Sequence, residues 1–115
     1  MFDFEKLYVY KKARILNKEI QKLLISSIKI KTNLRDQLSR ASSSILLNIA
    51  EGSGRFTNKE KTRYYLISRG SCYECVAVFD MLIDMELISQ IKHKNFYIQL
   101  EEVAKMLTGL IKSLR

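Results

Sequence analysis

The 115-residue chain contains no proline and no tryptophan, and it has only four glycines, two cysteines and one histidine. Average usage would put about six prolines in a chain of this length, so their absence argues against loop-rich designs and favours long uninterrupted helices. The cysteines and the histidine are too few to complete a zinc site. No run of about eighteen uncharged apolar residues occurs, and the charged first twenty residues hold no signal sequence. We therefore expect a cytoplasmic protein.

The apolar content is high enough to form the hydrophobic core of a single domain over residues 1–115. Apolar residues make up 47% of the chain. A chain of this size buries about two thirds of the surface that its unfolded form exposes. A core without disulfides or metals is therefore expected.

Apolar residues recur at helical spacing in four segments. The predicted helices cover about 4–26, with Asp3 as N-cap, about 33–51, about 57–85, and the segment after Ser89. Their predicted inward faces are Val9, Ala13, Leu16, Ile20, Leu23 and Leu24; Leu34, Leu38, Ala41, Ile45 and Ile49; Tyr64, Ile67, Ser71, Glu74, Val78 and Met81; and Phe96, Leu100, Val103, Leu107, Leu110 and Leu114. Short connections between helices of this length predict an all-α, up-down-up-down antiparallel four-helix bundle.

Glycines and a capping box mark the predicted helix ends. Gly52 and Gly54 are expected to end the second helix in a left-handed cap conformation. Thr57 and Glu60 have the spacing of a capping box at the start of the third helix. Gly70 and Gly109 fall inside predicted helices, where close helix approach is the expected reason for them and helix flexibility is the alternative.

The positive charge is concentrated in the first three fifths of the chain. The net charge is +8 overall, with +9 in residues 1–69 and −1 in residues 70–115. On a wheel of about 100° per residue, a basic stripe faces away from the apolar face of the first helix. This stripe consists of Lys11, Arg14, Lys18 and Lys22. A second basic cluster near the start of the third helix consists of Arg55, Lys59, Lys61, Arg63 and Arg69.

Such surfaces attract polyanions without base-specific contacts. We therefore predict that Lys11, Arg14, Lys18, Lys22, Arg55, Lys59, Lys61 and Arg63 contact the phosphates of RNA or DNA. Two alternatives stay open: a face that is merely solvated, and a helix lying on an anionic membrane. The bundle needs the apolar side of the first helix, which argues against the membrane.

No residue pattern indicates an enzyme or a cofactor site. His93 lies between two lysines without a triad partner, and Cys72 and Cys75 share one helix without a metal-ligand pair elsewhere. Glu74 is the one acid on a predicted apolar stripe, where we expect a buried, hydrogen-bonded carboxylate. We predict no catalytic residue, no metal and no cofactor.

Three segments carry a resemblance to a known family. FEKLYVYKKA (4–13), NIAEGSGR (48–55) and YYLISRGSCYE (64–74) resemble the four-helix-bundle 23S rRNA-intervening sequence proteins. That family includes the accessory variability proteins of diversity-generating retroelements. The chain departs from the family at Ile45-Leu46, where Ile-Pro is frequent, and at Ser39 and Ser42, where Arg and Ala are frequent.

The resemblance implies a bacterial, cytoplasmic bundle that assembles into a homopentamer. Its retroelement relatives are non-enzymatic partners of a reverse transcriptase and bind nucleic acid through basic surfaces. The residues that match the family motif are Asn48, Glu51, Gly52, Gly54 and Glu74. We interpret them as a helix cap and a polar network between the second and third helices.

Two hypotheses from different classes follow. The first is a non-enzymatic oligomer that binds nucleic acid, and the second is a scaffold for an acidic protein partner such as a reverse transcriptase. Assembly is also favoured by apolar residues that lie outside the predicted inward faces. These are Tyr8, Tyr10, Ile15, Leu47, Tyr65 and Phe79.

Overall fold

Four helices account for most of the chain in the computed structural model, which describes residues 1–115. They are α1 (Tyr8–Ser26), α2 (Thr32–Ser53), α3 (Asn58–Asp84) and α4 (Gln90–Ser113), preceded by a single 3₁₀ turn at Asp3–Lys6. Each helix packs against its neighbours in sequence, and α1 closes the bundle against α4. The diagonal pairs α1–α3 and α2–α4 have no Cα atoms within 8 Å of each other. The predicted all-α four-helix bundle is confirmed, and it measures 43 × 23 × 21 Å.

The first helix begins four residues later than predicted, and Asp3 is not its N-cap. Leu7 adopts an extended conformation (φ −70°, ψ 127°) and separates the 3₁₀ turn from α1. The partly buried Leu7 side chain packs against the core. The 3₁₀ turn that precedes this break contacts α2.

The apolar faces of α1 and α2 lie where the periodicity places them. All six predicted inward residues of α1 and all five of α2 are buried. α2 is continuous through Ile45 and Leu46, as its lack of proline allows. Burial of these side chains is the main favourable contribution to folding, at about 1.5–3 kcal/mol for each large one.

The predicted inward face of α3 is confirmed at Ser71 and Val78 and is wrong at Ile67, Glu74 and Met81. The buried residues are Tyr65, Ser68, Ser71, Cys72, Cys75, Val78, Phe79 and Leu82. The buried face is therefore rotated from the predicted one by somewhat less than one residue, which would be about 100°. Ile67 and Met81 are exposed, and so is Glu74, so the expected buried carboxylate does not exist. Tyr65 and Phe79 lie in the core instead of on the surface.

Small polar side chains explain why α3 takes this rotation. The buried Ser68 hydroxyl donates a hydrogen bond of 2.7 Å to the carbonyl oxygen of Ile45 in α2. The Ser71 hydroxyl donates to the Ser44 hydroxyl at 2.8 Å. Asn48 completes this network by donating to the same Ser44 hydroxyl at 3.0 Å. The predicted polar network between α2 and α3 is thus present through Asn48, without Glu74.

The predicted core of α4 is confirmed from Phe96 to Leu107 and differs from the prediction after Leu107. Phe96, Leu100, Val103 and Leu107 are buried. Ile111 is buried in place of the predicted Leu110, which is only partly covered. A straight α-helix rotates by about 20° per heptad relative to a 3.5-residue repeat, and this drift brings Ile111 inward.

Gly52 and Gly54 do not adopt a left-handed conformation, because no glycine of this chain has a positive φ. Gly54 is the C-cap of α2 with φ −82°. Gly52 lies inside α2, where a Cβ atom would come within 2.9 Å of both Tyr64 Cβ and Tyr65 Cε1. Gly52 therefore allows α2 and α3 to approach closely. Gly70 and Gly109 have no such neighbour within 4 Å, so the close approach expected there is wrong.

The other helix ends use side-chain and backbone caps. The Thr57 hydroxyl accepts the Glu60 N–H at 3.1 Å, which is one half of the predicted capping box, while the Glu60 carboxylate accepts from the Thr57 hydroxyl and not from the Thr57 N–H. The Ser89 hydroxyl caps α4 by accepting the Lys92 N–H at 3.1 Å. α3 ends differently: its C-cap is Met85, and the following residue, Glu86, has φ 60° and lies in the left-handed region. The next amide, that of Leu87, then bonds back to the Leu82 carbonyl at 2.9 Å.

Arg35 holds the connection between α1 and α2. Its guanidinium donates to the carbonyl oxygens of Leu24, Ser27 and Ile30. The Leu24 carbonyl lies in the last turn of α1, where carbonyl groups have no helical partner and a cation is favourable, and the other two lie in the connection itself. The α1–α2 turn is therefore fixed by one charged side chain from the following helix.

Candidate nucleic-acid interface

The basic stripe of Lys11, Arg14, Lys18 and Lys22 lies on the solvent side of α1, opposite the buried face of that helix. All four residues are exposed. They span about 16 Å along the helix axis at 1.5 Å per residue. None of them forms a salt bridge. The stripe is thus a row of four cations whose charges no acidic side chain neutralises.

The edge of α1 that faces α4 is different, because its charges are paired. Lys12 Nζ lies 3.0 Å from Glu102 Oε1. The hydrogen bond to Glu102 and the negative charge of that carboxylate raise the pKa of Lys12. Glu19 accepts a hydrogen bond of 3.2 Å from Gln99 of α4. Charge on this edge therefore joins two helices, whereas charge on the stripe faces solvent.

An open groove of about 850 Å³ runs beside the stripe, between the 3₁₀ turn, α1 and α2. Lys6, Lys11, Arg14 and Lys18 line it, and Glu5 is its one acidic residue. The Glu5 carboxylate already accepts the Phe2 N–H at 3.2 Å. The groove therefore has a strongly positive lining.

The groove also has residues that the sequence analysis did not connect with the stripe. Tyr10, Asn17 and Leu46 line it together with the cations. Leu46 comes from α2, so only the tertiary structure brings it to Tyr10 and Asn17. The one signal in the sequence was the position of Tyr10 outside the predicted inward face.

In the second basic cluster, two cations have partners within the chain. Arg55 lies 3.1 Å from Glu51 Oε1, donates to the Tyr64 hydroxyl at 2.7 Å, and stacks over the Tyr64 ring at 4.6 Å. Lys61 donates to the Ser53 carbonyl oxygen at 2.8 Å, at the negative end of α2. Both side chains hold the α2–α3 turn.

Of the remaining three members of this cluster, two are unpaired and one has partners within the chain. Lys59 and Arg63 are exposed and form no salt bridge. Arg69 donates to the Thr108 hydroxyl at 2.9 Å and to the Tyr73 hydroxyl at 2.8 Å, which ties α3 to α4. Only Lys59 and Arg63 of this cluster therefore have charges as free as those of the stripe.

The cysteines and the histidine do not line the groove beside the stripe. Cys72 and Cys75 are buried free thiols, and burial raises the pKa of both, that of Cys72 to about 12. His93 Nε2 lies 2.7 Å from Asp80 Oδ1 and joins α4 to α3. No group of three His, Cys, Asp or Glu side chains could hold a metal ion. No helix is long and apolar enough to cross a membrane.

The fold is that of a small four-helix bundle with known relatives. One solved structure, a protein of unknown function from the S23 ribosomal protein family of Bacteroides thetaiotaomicron, superposes with a TM-score of 0.85. It is 21% identical, and the match covers 90% of this chain and 95% of that chain. The sequence model of the 23S rRNA-intervening sequence proteins matches residues 5–109. The chain is a member of this family, as its motifs predict. No curated protein matches the sequence.

Proposed function

We propose that this protein is a non-enzymatic nucleic-acid-binding protein that contacts RNA or DNA phosphates through the basic stripe on α1. The carrying observation is that all four stripe cations are exposed and unpaired, whereas Arg55, Lys61 and Arg69 are engaged within the chain. Lys59 and Arg63 supply secondary contacts. Unpaired cations in a row bind polyphosphates because they release the condensed counterions.

The family description refers to sequences that intervene in 23S rRNA, which makes ribosomal RNA the first probe to use. The test compares wild type with a variant in which Lys11, Arg14, Lys18 and Lys22 are replaced by glutamine. The matched control replaces Lys92, Lys94, Lys105 and Lys112 of α4, which are also exposed. Both variants lose four positive charges.

The stripe variant should bind ribosomal RNA and duplex DNA much more weakly at constant salt, and the α4 variant should bind nearly as wild type does. Equal losses in the two variants would show that net charge alone drives binding. If wild type binds no nucleic acid, the proposal is wrong and the alternative, a scaffold for an acidic protein such as a reverse transcriptase, takes its place.

We also propose that the protein acts as a homo-oligomer, with the pentamer that the family resemblance implies. Tyr8, Leu47, Ile67 and Met81 are large apolar residues that the bundle leaves exposed. Exposed apolar surface of this kind marks interfaces. Light scattering should give a mass near five chains, and a monodisperse monomer would contradict the proposal.

A further inference from the structure

The groove beside the stripe differs from a simple basic surface because its lining has two kinds of residue. Lys11, Arg14 and Lys18 provide cations, while Tyr10 and Leu46 provide apolar area in the same groove. The Tyr10 ring packs at an angle of 62° against Phe4, with the ring centroids 4.8 Å apart, which fixes its orientation. The volume of the groove, about 850 Å³, lies within the usual range for small-molecule sites.

Asn17 adds a polar group of fixed orientation to this lining. Its Oδ1 atom accepts hydrogen bonds from the Ser42 hydroxyl at 2.7 Å and from Gln21 at 3.3 Å. Its amide nitrogen donates to no group of this chain, and Asn17 lines the groove. The nitrogen is therefore available as a donor to a bound molecule, and its position is held by α2.

A nucleotide has two parts that this lining can bind. Its phosphate can lie beside the cations, and its flat base can stack on the aromatic side chain. Binding proteins for single strands combine a positive groove with aromatic side chains on which bases stack. In a duplex the faces of the bases are stacked against each other, so a duplex offers phosphates and base edges but no base face on which Tyr10 could stack. The composition of the groove therefore fits an unpaired nucleotide better than a base-paired one.

We propose that the groove formed by the 3₁₀ turn, α1 and α2 accepts an unpaired base of a single-stranded nucleic acid, stacked on Tyr10. Lys11, Arg14 and Lys18 hold the neighbouring phosphates, and the Asn17 amide donates to the base edge. This inference rests on the proposed function and adds a preference for single strands over duplexes.

The test uses three probes with the same number of phosphates per strand. They are a single strand of about twelve nucleotides, within the usual range of site sizes, the same strand with abasic sites, and the corresponding duplex. The intact single strand should bind wild type about tenfold more tightly than the abasic strand, which corresponds to about 1.4 kcal/mol and lies in the range for stacking one base.

Substitution of the aromatic ring gives the matched comparison. Tyr10→Leu should remove most of the preference for the intact strand over the abasic strand. Tyr97→Leu is the control, because Tyr97 is an exposed tyrosine of α4 and does not line the groove. Melting curves establish that both variants fold.

Photocrosslinking of wild type keeps the test independent of folding. A single strand that carries 5-iodouridine should crosslink to the peptide containing Tyr10. Equal affinity for the three probes, or crosslinks only to peptides outside the groove, would overturn this inference and leave the proposed phosphate binding intact. Absence of binding to every probe would overturn both.

Discussion

The replacement of Gly52 by alanine tests how α2 and α3 pack at the family motif. A Cβ atom at this position would lie 2.9 Å from Tyr64 Cβ and 2.9 Å from Tyr65 Cε1. Ordinary carbon contacts are about 3.5–4.0 Å, so both approaches are short by at least about 0.6 Å. Tyr64 Cβ moves only with the α3 backbone, and the Tyr65 ring is buried. The clash therefore has to separate the two helices.

The expected loss of stability follows from two opposing effects. Overpacking costs about 1–3 kcal/mol, and alanine gains up to about 1 kcal/mol over glycine in a helix. The free energy of unfolding of Gly52→Ala should fall by about 1–2 kcal/mol. In a domain of this size, this corresponds to a decrease in Tm of about 4–8 °C.

Thermal and urea unfolding followed by circular dichroism measures this change. Gly109→Ala is the matched control, because it lies in α4 and its Cβ would meet nothing within 4 Å. It should be as stable as wild type or more stable by up to about 1 kcal/mol. If Gly52→Ala were as stable as Gly109→Ala, close helix packing would not be the reason for glycine at position 52.

Three further predictions concern the core and the helix ends. Burial raises the thiol pKa of Cys72 to about 12 and also raises that of Cys75, so the folded protein should resist thiol reagents at pH 8. Its stability should fall as the pH rises above about 9, because the thiols of the unfolded chain then ionise while the buried thiols do not. Rapid labelling of the native protein would contradict this prediction. Arg35→Ala removes three hydrogen bonds to carbonyl groups and should lower the free energy of unfolding by about 1.5–3 kcal/mol. Arg40→Ala is the control, because the Arg40 side chain bonds only within its own helix, and it should change the free energy of unfolding by less than about 0.5 kcal/mol. Glu86→Gly should raise Tm, because glycine adopts the positive φ of 60° at this position without backbone strain. An unchanged or lower Tm would show that Glu86 is not strained.

Helix positions could be predicted from the sequence, since caps and apolar spacing are local signals. Thr57 and Ser89 begin α3 and α4 as their residue types predict. The rotation of α3 could not be predicted in the same way. Apolar residues such as Ile67 and Met81 lie on its outer side, while Ser68 and Cys72 face the core. The hydrogen bond from Ser68 to α2 and the space at Gly52 determine that rotation, and both depend on a partner helix.

The candidate interface could likewise be predicted from the sequence only in part. The exposure of Lys11 and Lys18 follows from their position opposite the apolar face of α1, which the sequence reveals. The engagement of Arg55 with Tyr64 and of Lys61 with Ser53 requires the α2–α3 turn to be folded, so the sequence alone cannot separate paired cations from free ones. Leu46 joins the groove only through packing of α2 on α1.

The salt dependence of nucleic-acid affinity tests the central claim most directly. Each phosphate contact contributes about 0.7–0.9 to the slope of log affinity against log salt concentration. If Lys11, Arg14, Lys18 and Lys22 each contact one phosphate, their replacement by glutamine should reduce the steepness of the slope by about 3. Replacement of the four lysines of α4 should leave the slope unchanged. Equal slopes for wild type and the folded stripe variant would contradict the account and place the contact surface elsewhere on the protein.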